Sequence, residues 1–247
     1  MKILHKMFRT IENNNLKLKH EARFKSDYRL TKRDISPFPN FHFFMIICGK
    51  SGSGKTSLLI DILKDKRIYK NVFHKILLVM PRHSYNNMET NIFKRLPNEQ
   101  VQFELDFNRL HDQISVFANN DKNTLLVIDD FTAYLNRKDY LRQFNELIQN
   151  RRHLRLSICL LVQVYNSVPL PIRKSINELI LFRAPKKEFQ FILDELIEMP
   201  HDIALKLKKF IYDRQHNFML LDVPNQIYYK NLDKVLVNGS EESEEDG

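Results

Sequence analysis

Glycine is nearly absent from this chain except in one place. Only Gly49, Gly52, Gly54, Gly239 and Gly247 occur in 247 residues, where average usage would supply about 17. The first three fall within one six-residue window, so the backbone there needs unusual freedom or must be closely approached. The segment reads Gly49-Lys50-Ser51-Gly52-Ser53-Gly54-Lys55-Thr56, a full G-x-x-x-x-G-K-[ST] pattern. Before it, Phe41–Cys48 is a short aromatic and β-branched block that reads as a buried strand. After it, Thr56–Lys64 is apolar at helical spacing.

Strand, Gly-rich loop and helix is the context of a phosphate-binding loop. Backbone N–H groups there wrap a β-phosphate at a helix N-terminus. Residues Gly49, Lys50, Ser51, Gly52, Ser53, Gly54, Lys55 and Thr56 are thus the expected nucleotide-binding set. Lys55 neutralises β- and γ-phosphate oxygens, and the Thr56 hydroxyl ligates Mg²⁺. ATP and Mg²⁺ are the expected ligands.

Further on, apolar runs alternate with helical segments, which predicts an α/β fold with helices on both faces of a sheet. Five core strands are expected: Phe43–Cys48, Lys75–Met80, Thr124–Asp129, Ser157–Gln163 and Glu178–Phe182. Helices are expected near Phe107–Phe117, Tyr140–Arg152, Lys186–Ile197 and Ile203–Arg214, and a late hairpin at Phe218–Val223 and Ile227–Tyr229. Arg82–Glu104 carries no readable pattern. The third strand ends in Asp129-Asp130, an apolar run followed by acids at the sheet edge where ligands bind. Asp129 is expected to hold Mg²⁺ through water, and Asp130 to orient or deprotonate an attacking water. If the fourth strand lies between the first and third, Gln163 falls between Lys55 and Asp130, within reach of the γ-phosphate or that water. Arg152 sits at a helix end, either solvated or supplied to a neighbouring subunit's phosphates.

Charge adds a partner class. Lys and Arg total 39 against 30 Asp and Glu, a net +9. Glu241, Glu242, Glu244, Glu245 and Asp246 sit in a tail without bases, so the body is more basic still. Such a surplus suits a polyanion, with nucleic acid first. The chain divides into a basic arm at 1–40 with one or two helices, a domain at 41–236, and an acidic disordered tail at 237–247. No apolar run approaches the roughly 18 residues of a membrane helix, and Met1–Arg9 lacks a signal-peptide core. Cys48 and Cys159 lie in apolar runs and read as reduced core residues.

Taken together, Gly49–Thr56, Leu126–Asp130, Arg152 and Gln163 resemble the FtsK–HerA superfamily of DNA-pumping ATPases. Within it the likeness is closest to the genome-packaging ATPases of large DNA viruses, the poxvirus-like type, and their virophage relatives. The stretch Asn150–Gln163 and the following Pro169–Asn177 carry most of it, and it covers about residues 41–200. It implies a RecA-like P-loop core, mostly parallel, with strand order 5-1-4-3-2. It also implies a homo-oligomeric ring, a hexamer by analogy, that moves double-stranded DNA, with Arg152 acting in trans. Capsid or portal proteins follow as partners, and the virion or host cytoplasm as location. Basic residues such as Arg173, Lys174, Lys206, Lys208, Lys209 and Arg214 either face a DNA channel or form ordinary solvated helix faces. Many relatives carry Glu where this chain has Asp130. A nucleoside or nucleotide kinase-like phosphotransferase is the alternative: it shares the loop and fold but needs no Gln163 on an inserted strand.

Overall fold

Apolar runs without alternation become strands here because both faces of the sheet are covered. The computed structural model describes residues 8–11, 35–89, 91–197 and 199–237. Ten strands form one sheet: β1 (Phe8–Ile11), β2 (Phe44–Cys48), β3 (Lys75–Val79), β4 (Val101–Gln102), β5 (Thr124–Asp129), β6 (Leu156–Val162), β7 (Glu178–Phe182), β8 (Phe218–Asp222), β9 (Ile227–Lys230) and β10 (Asp233–Val237). Their order is β1-β10-β9-β8-β7-β2-β6-β5-β3-β4. The five expected strands hold the order 5-1-4-3-2 as β7-β2-β6-β5-β3, all parallel. The sheet as a whole differs from that core, because strands extend it at both edges. β4 pairs with β3 in parallel, and the antiparallel strands β8, β9, β10 and β1 continue from β7.

The helices are α1 (Lys55–Lys64), α2 (Arg82–Asn86), α3 (Phe107–Asn119), α4 (Lys138–Asn150), α5 (Leu170–Arg173), α6 (Lys186–Leu196) and α7 (His201–Ile211). Successive strand residues point to opposite faces, and that alternation splits the core in two. Phe44, Ile46 and Cys48 of β2 pack with Ile114 of α3, Phe144 of α4, Phe189 of α6 and Leu207 of α7. Met45 and Ile47 pack with Leu59 and Ile62 of α1. Helices therefore cover both faces, as the alternation of runs predicts, and the loop-bearing helix α1 lies on the face opposite α3, α4, α6 and α7. Cys48 and Cys159 are free and buried.

The stretch read as an arm reaches into the body before residue 40, because Ile35 and Phe38 are buried in the core beside α1. Within that stretch β1 adds an edge strand to β10. The rest of the arm, where helices are expected, falls outside the described residues, as does the acidic tail beyond residue 237.

One strand pairing runs against electrostatics. Glu178 at the start of β7 faces Asp222 at the end of β8 across the antiparallel ladder, and like charges opposed there destabilise. Glu178 is 3% exposed, and its Oε2 makes no hydrogen bond. Burial, with the Asp222 charge adding to it, pushes this carboxyl from 4.5 up to about 10. Between those values the folded chain holds a proton that the unfolded chain has released, so stability falls as pH rises through the window. Glu178→Gln removes that slope. In thermal melts the variant should exceed the parent at about pH 8 and lose the advantage below about pH 4.5.

Candidate nucleotide site

The site begins where β2 runs out. Gly49 N donates to Val162 O at 3.0 Å, which ties the start of the loop to the end of β6. A Cβ on Gly49 would lie 2.6 Å from Ser53 Oγ and 2.7 Å from Phe182 Cβ, so the close approach itself requires glycine. Gly52 and Gly54 adopt φ of +74° and +103°, a region that costs other residues strain. Gly54 caps α1, whose first amides have no partner within the helix. Lys55 folds back, and Nζ donates to Gly49 O at 2.6 Å and Lys50 O at 3.1 Å.

Across the sheet edge stand the carboxylates. Thr56 Oγ1 donates to Asp129 Oδ2 at 3.1 Å. Asp129 is 8% exposed, and burial pushes its carboxyl up to about 6; Thr56 and Lys55 oppose the shift, while Asp130 adds to it. Burial also lowers Lys55, against the pull of Asp129. Asp130 has φ +62°, an uncommon conformation that costs about 1 kcal/mol and collects at functional positions. Gln163 Nε2 donates to Asp130 Oδ1 at 3.0 Å. A cavity of about 260 Å³ joins these groups, lined by Lys55, Thr56, Asp129, Asp130 and Gln163.

The residues present fit a magnesium nucleotide. A hydroxyl and a carboxylate side by side are hard oxygen donors of the kind Mg²⁺ takes. Ser53 Oγ is buried in the loop without a hydrogen bond, and the amides opening α1 favour an anion.

The sequence missed Ser84 and Met88, which also line this cavity. They follow β3 in the unpatterned region, where α2 spans only five residues and no periodicity exists to find.

Arg152 is not part of this constellation. It is exposed in the turn between α4 and β6, at the amino edge of the sheet. β6 runs seven residues to the other edge, roughly 20 Å at strand rise. Its neighbour Arg151 is structural: Nε donates to His42 O at 2.8 Å and NH1 to Ile148 O at 2.7 Å.

The expected channel cations sort differently. Arg173 fits neither expectation, because it faces neither solvent nor a channel. It is 7% exposed, paired with Glu195 through Nε at 2.9 Å and NH2 at 2.9 Å, and it donates to Val168 O at 2.5 Å. Lys208 is half-buried over the Phe189 ring at 4.5 Å, and Lys206 pairs with Asp202 at 3.5 Å on α7. Lys174, Lys209 and Arg214 are exposed. The segment after Gln163 is clamped to α6 at two carboxylates, Glu188 and Glu195. Tyr165 N donates to Glu188 Oε1 at 2.6 Å, the second clamp is Arg173 on Glu195, and Cys48 Sγ lies 3.8 Å from the same Glu188 oxygen.

A Gly-rich loop at the carboxyl end of a central parallel strand, with acids from a strand one place removed, is the architecture of the P-loop nucleotide-binding proteins. Comparison with known proteins narrows this. Residues 34–217 match the family model described as Poxvirus A32 protein, and the chain belongs to that family. The DNA packaging protein OPG160 of variola virus is 29% identical over 145 residues, 57% of this chain and 53% of that protein. The vaccinia virus (strain Copenhagen) protein of the same name matches equally. The chain therefore spans about half the length of the curated relatives it matches. Among solved structures, the genome packaging NTPase B204 of Sulfolobus turreted icosahedral virus 2, in complex with ATP-gammaS, superposes with a TM-score of 0.58. It is 19% identical and covers 76% of this chain and 96% of that one. B204 from Sulfolobus turreted icosahedral virus gives 0.57 at 18% identity, over 78% and 98%. These likenesses establish the fold.

The buried ion pair gives a direct check on the correction. Arg173→Ala leaves Glu195 without its charge partner and should cost about 3 kcal/mol in urea unfolding. Lys174→Ala should stay within about 0.5 kcal/mol of the parent.

Proposed function

We propose that this chain is an ATP-hydrolysing motor that packages viral double-stranded DNA into a capsid. One observation carries the reading: the phosphate loop and the carboxylate pair meet in one cavity, Thr56 on Asp129 and Gln163 on Asp130. Family membership supports it, as do relatives named as DNA packaging proteins and a B204 structure containing an ATP analogue. The net +9 suits a polyanionic substrate. No observation favours the kinase-like alternative.

Thr56 and Asp129 would hold Mg²⁺, which when bound offsets phosphate charge. Lys55 sets an ammonium against the β- and γ-phosphate oxygens, and the loop amides bind the β-phosphate. Gln163 and Asp130 hold a water in line with the γ-phosphate, and the Asp130 carboxylate accepts its proton. Loss of the loop-held charge then moves the segment after Gln163 against DNA.

Arg152 serves a neighbour's site in this reading, because its own loop is a strand length away. Turnover then requires a ring, a hexamer by family likeness, with capsid or portal proteins as further partners. The basic arm at 1–40, joined to the body through β1, Ile35 and Phe38, the motor domain at 41–236 and the acidic tail at 237–247 are its proposed parts. No described helix is long and apolar enough to cross a membrane, and the proposed setting is the virion or host cytoplasm.

The decisive experiment is ATP hydrolysis with and without long duplex DNA. The parent should be stimulated, and Lys55→Ala should lose at least about 100-fold while its circular dichroism is unchanged. Normal turnover by Lys55→Ala would remove the site assignment. Arg152→Ala should bind ATP yet fail to hydrolyse it, and mixing it with Lys55→Ala subunits should restore part of the activity. Absence of rescue would exclude a trans role.

A further inference from the structure

The phosphate loop lies between two cavities. The second, of about 400 Å³, is lined by Lys50–Ser53, by Phe182 and Arg183 at the end of β7, and by the turn 213–217 before β8. Its size falls within the range of small-molecule sites. Ser51 and Gly52 line both cavities, so the two spaces meet over the crest of the loop. The acids and Gln163 fix the γ-phosphate end of a nucleotide on the β5–β6 side. The cavity toward β7 is then the space that remains beside the loop for the rest of that molecule.

The turn is braced for such a role. Asn217 Nδ2 donates to Ile211 O at 3.1 Å and Asp213 Oδ1 at 2.7 Å. Lys230 pairs with Asp213 at 2.8 Å, and Asn231 Nδ2 donates to Asn217 Oδ1 at 3.2 Å. These bonds hold the backbone while Arg214, Gln215 and His216 stay exposed. His216 has φ +64°, and its Nδ1 lies 3.3 Å from Ser53 O, which joins the turn directly to the phosphate loop. Flat guanidinium and imidazole groups stack on nucleobases, and an amide can bond a base edge.

Resting on the nucleotide reading above, we propose that the turn 213–217, with Arg183, is the nucleoside subsite: Arg214 and His216 contact the base and ribose of the nucleotide whose phosphates Gly49–Thr56 hold. The turn thereby closes the active cavity from the antiparallel side of the sheet.

The test compares ATP with inorganic tripolyphosphate, which carries the phosphates and lacks the nucleoside. Binding of each is measured by calorimetry with Mg²⁺, in the parent and in an Arg214→Ala/His216→Ala variant. The variant should weaken for ATP by about tenfold or more and hold tripolyphosphate within about twofold; retained tripolyphosphate binding also shows that the loop is folded. Equal effects on both ligands, or none on ATP, would overturn the subsite. A loss of duplex DNA binding with ATP affinity kept would also overturn it, as would a selective ATP defect in Met88→Ala with Arg214→Ala/His216→Ala unaffected. A parent that binds neither ligand would instead defeat the nucleotide reading itself.

Discussion

Register is the constraint on which the site depends. β6 pairs in parallel with β2 on one side and β5 on the other, with Cys48 opposite Val162 and Asp129 opposite Leu161. Three strands therefore end at the same level of the sheet, and the residues just beyond them emerge together. Gly49, Asp130 and Gln163 are neighbours for that reason alone. A slip of one residue would turn every side chain of β6 to the opposite face and carry Gln163 away from Asp130. The fully buried Leu156–Val162 run, packed on both sides, makes such a slip costly.

Holding the site open has local costs that the surrounding core offsets. Asp129 and Lys55 are both removed from water, which disfavours either charge alone. They lie close enough to stabilise one another, with Thr56 donating to the carboxylate. Asp130 holds a left-handed backbone, and the Gly49 backbone is pressed against Phe182. Strain of about 1 kcal/mol at such a position is tolerable where the flanking strands are buried throughout.

How legible this was depended on length and pattern. The parallel strands announce themselves because both faces are covered, and α3, α4, α6 and α7 because their apolar residues recur at helical spacing. The loop, Asp129, Asp130 and Gln163 lie at the ends of those readable elements. β4 is two residues long, and α2 is a single short helix without buried residues, so neither offers a period. β10 mixes Asp233 and Lys234 with apolar residues and gains its place by adding to β9. Arg173 was misread for a different reason. An arginine near the end of a short amphipathic stretch looks solvated in one dimension, and only the fold brings Glu195 to it across twenty-two positions.

Glu188 and Glu195 stand seven positions apart on α6, two helical turns, and so share a face. Through Tyr165 and Arg173 they grip both ends of the chain that leaves Gln163, while Glu188 also touches the last residue before the loop. The stretch from 165 to 173 and α6 are thus fastened together at two carboxylates, and the near end of that unit sits beside the Gly-rich loop. In the motor proposed above, a shift at the glutamine would carry the whole unit with it.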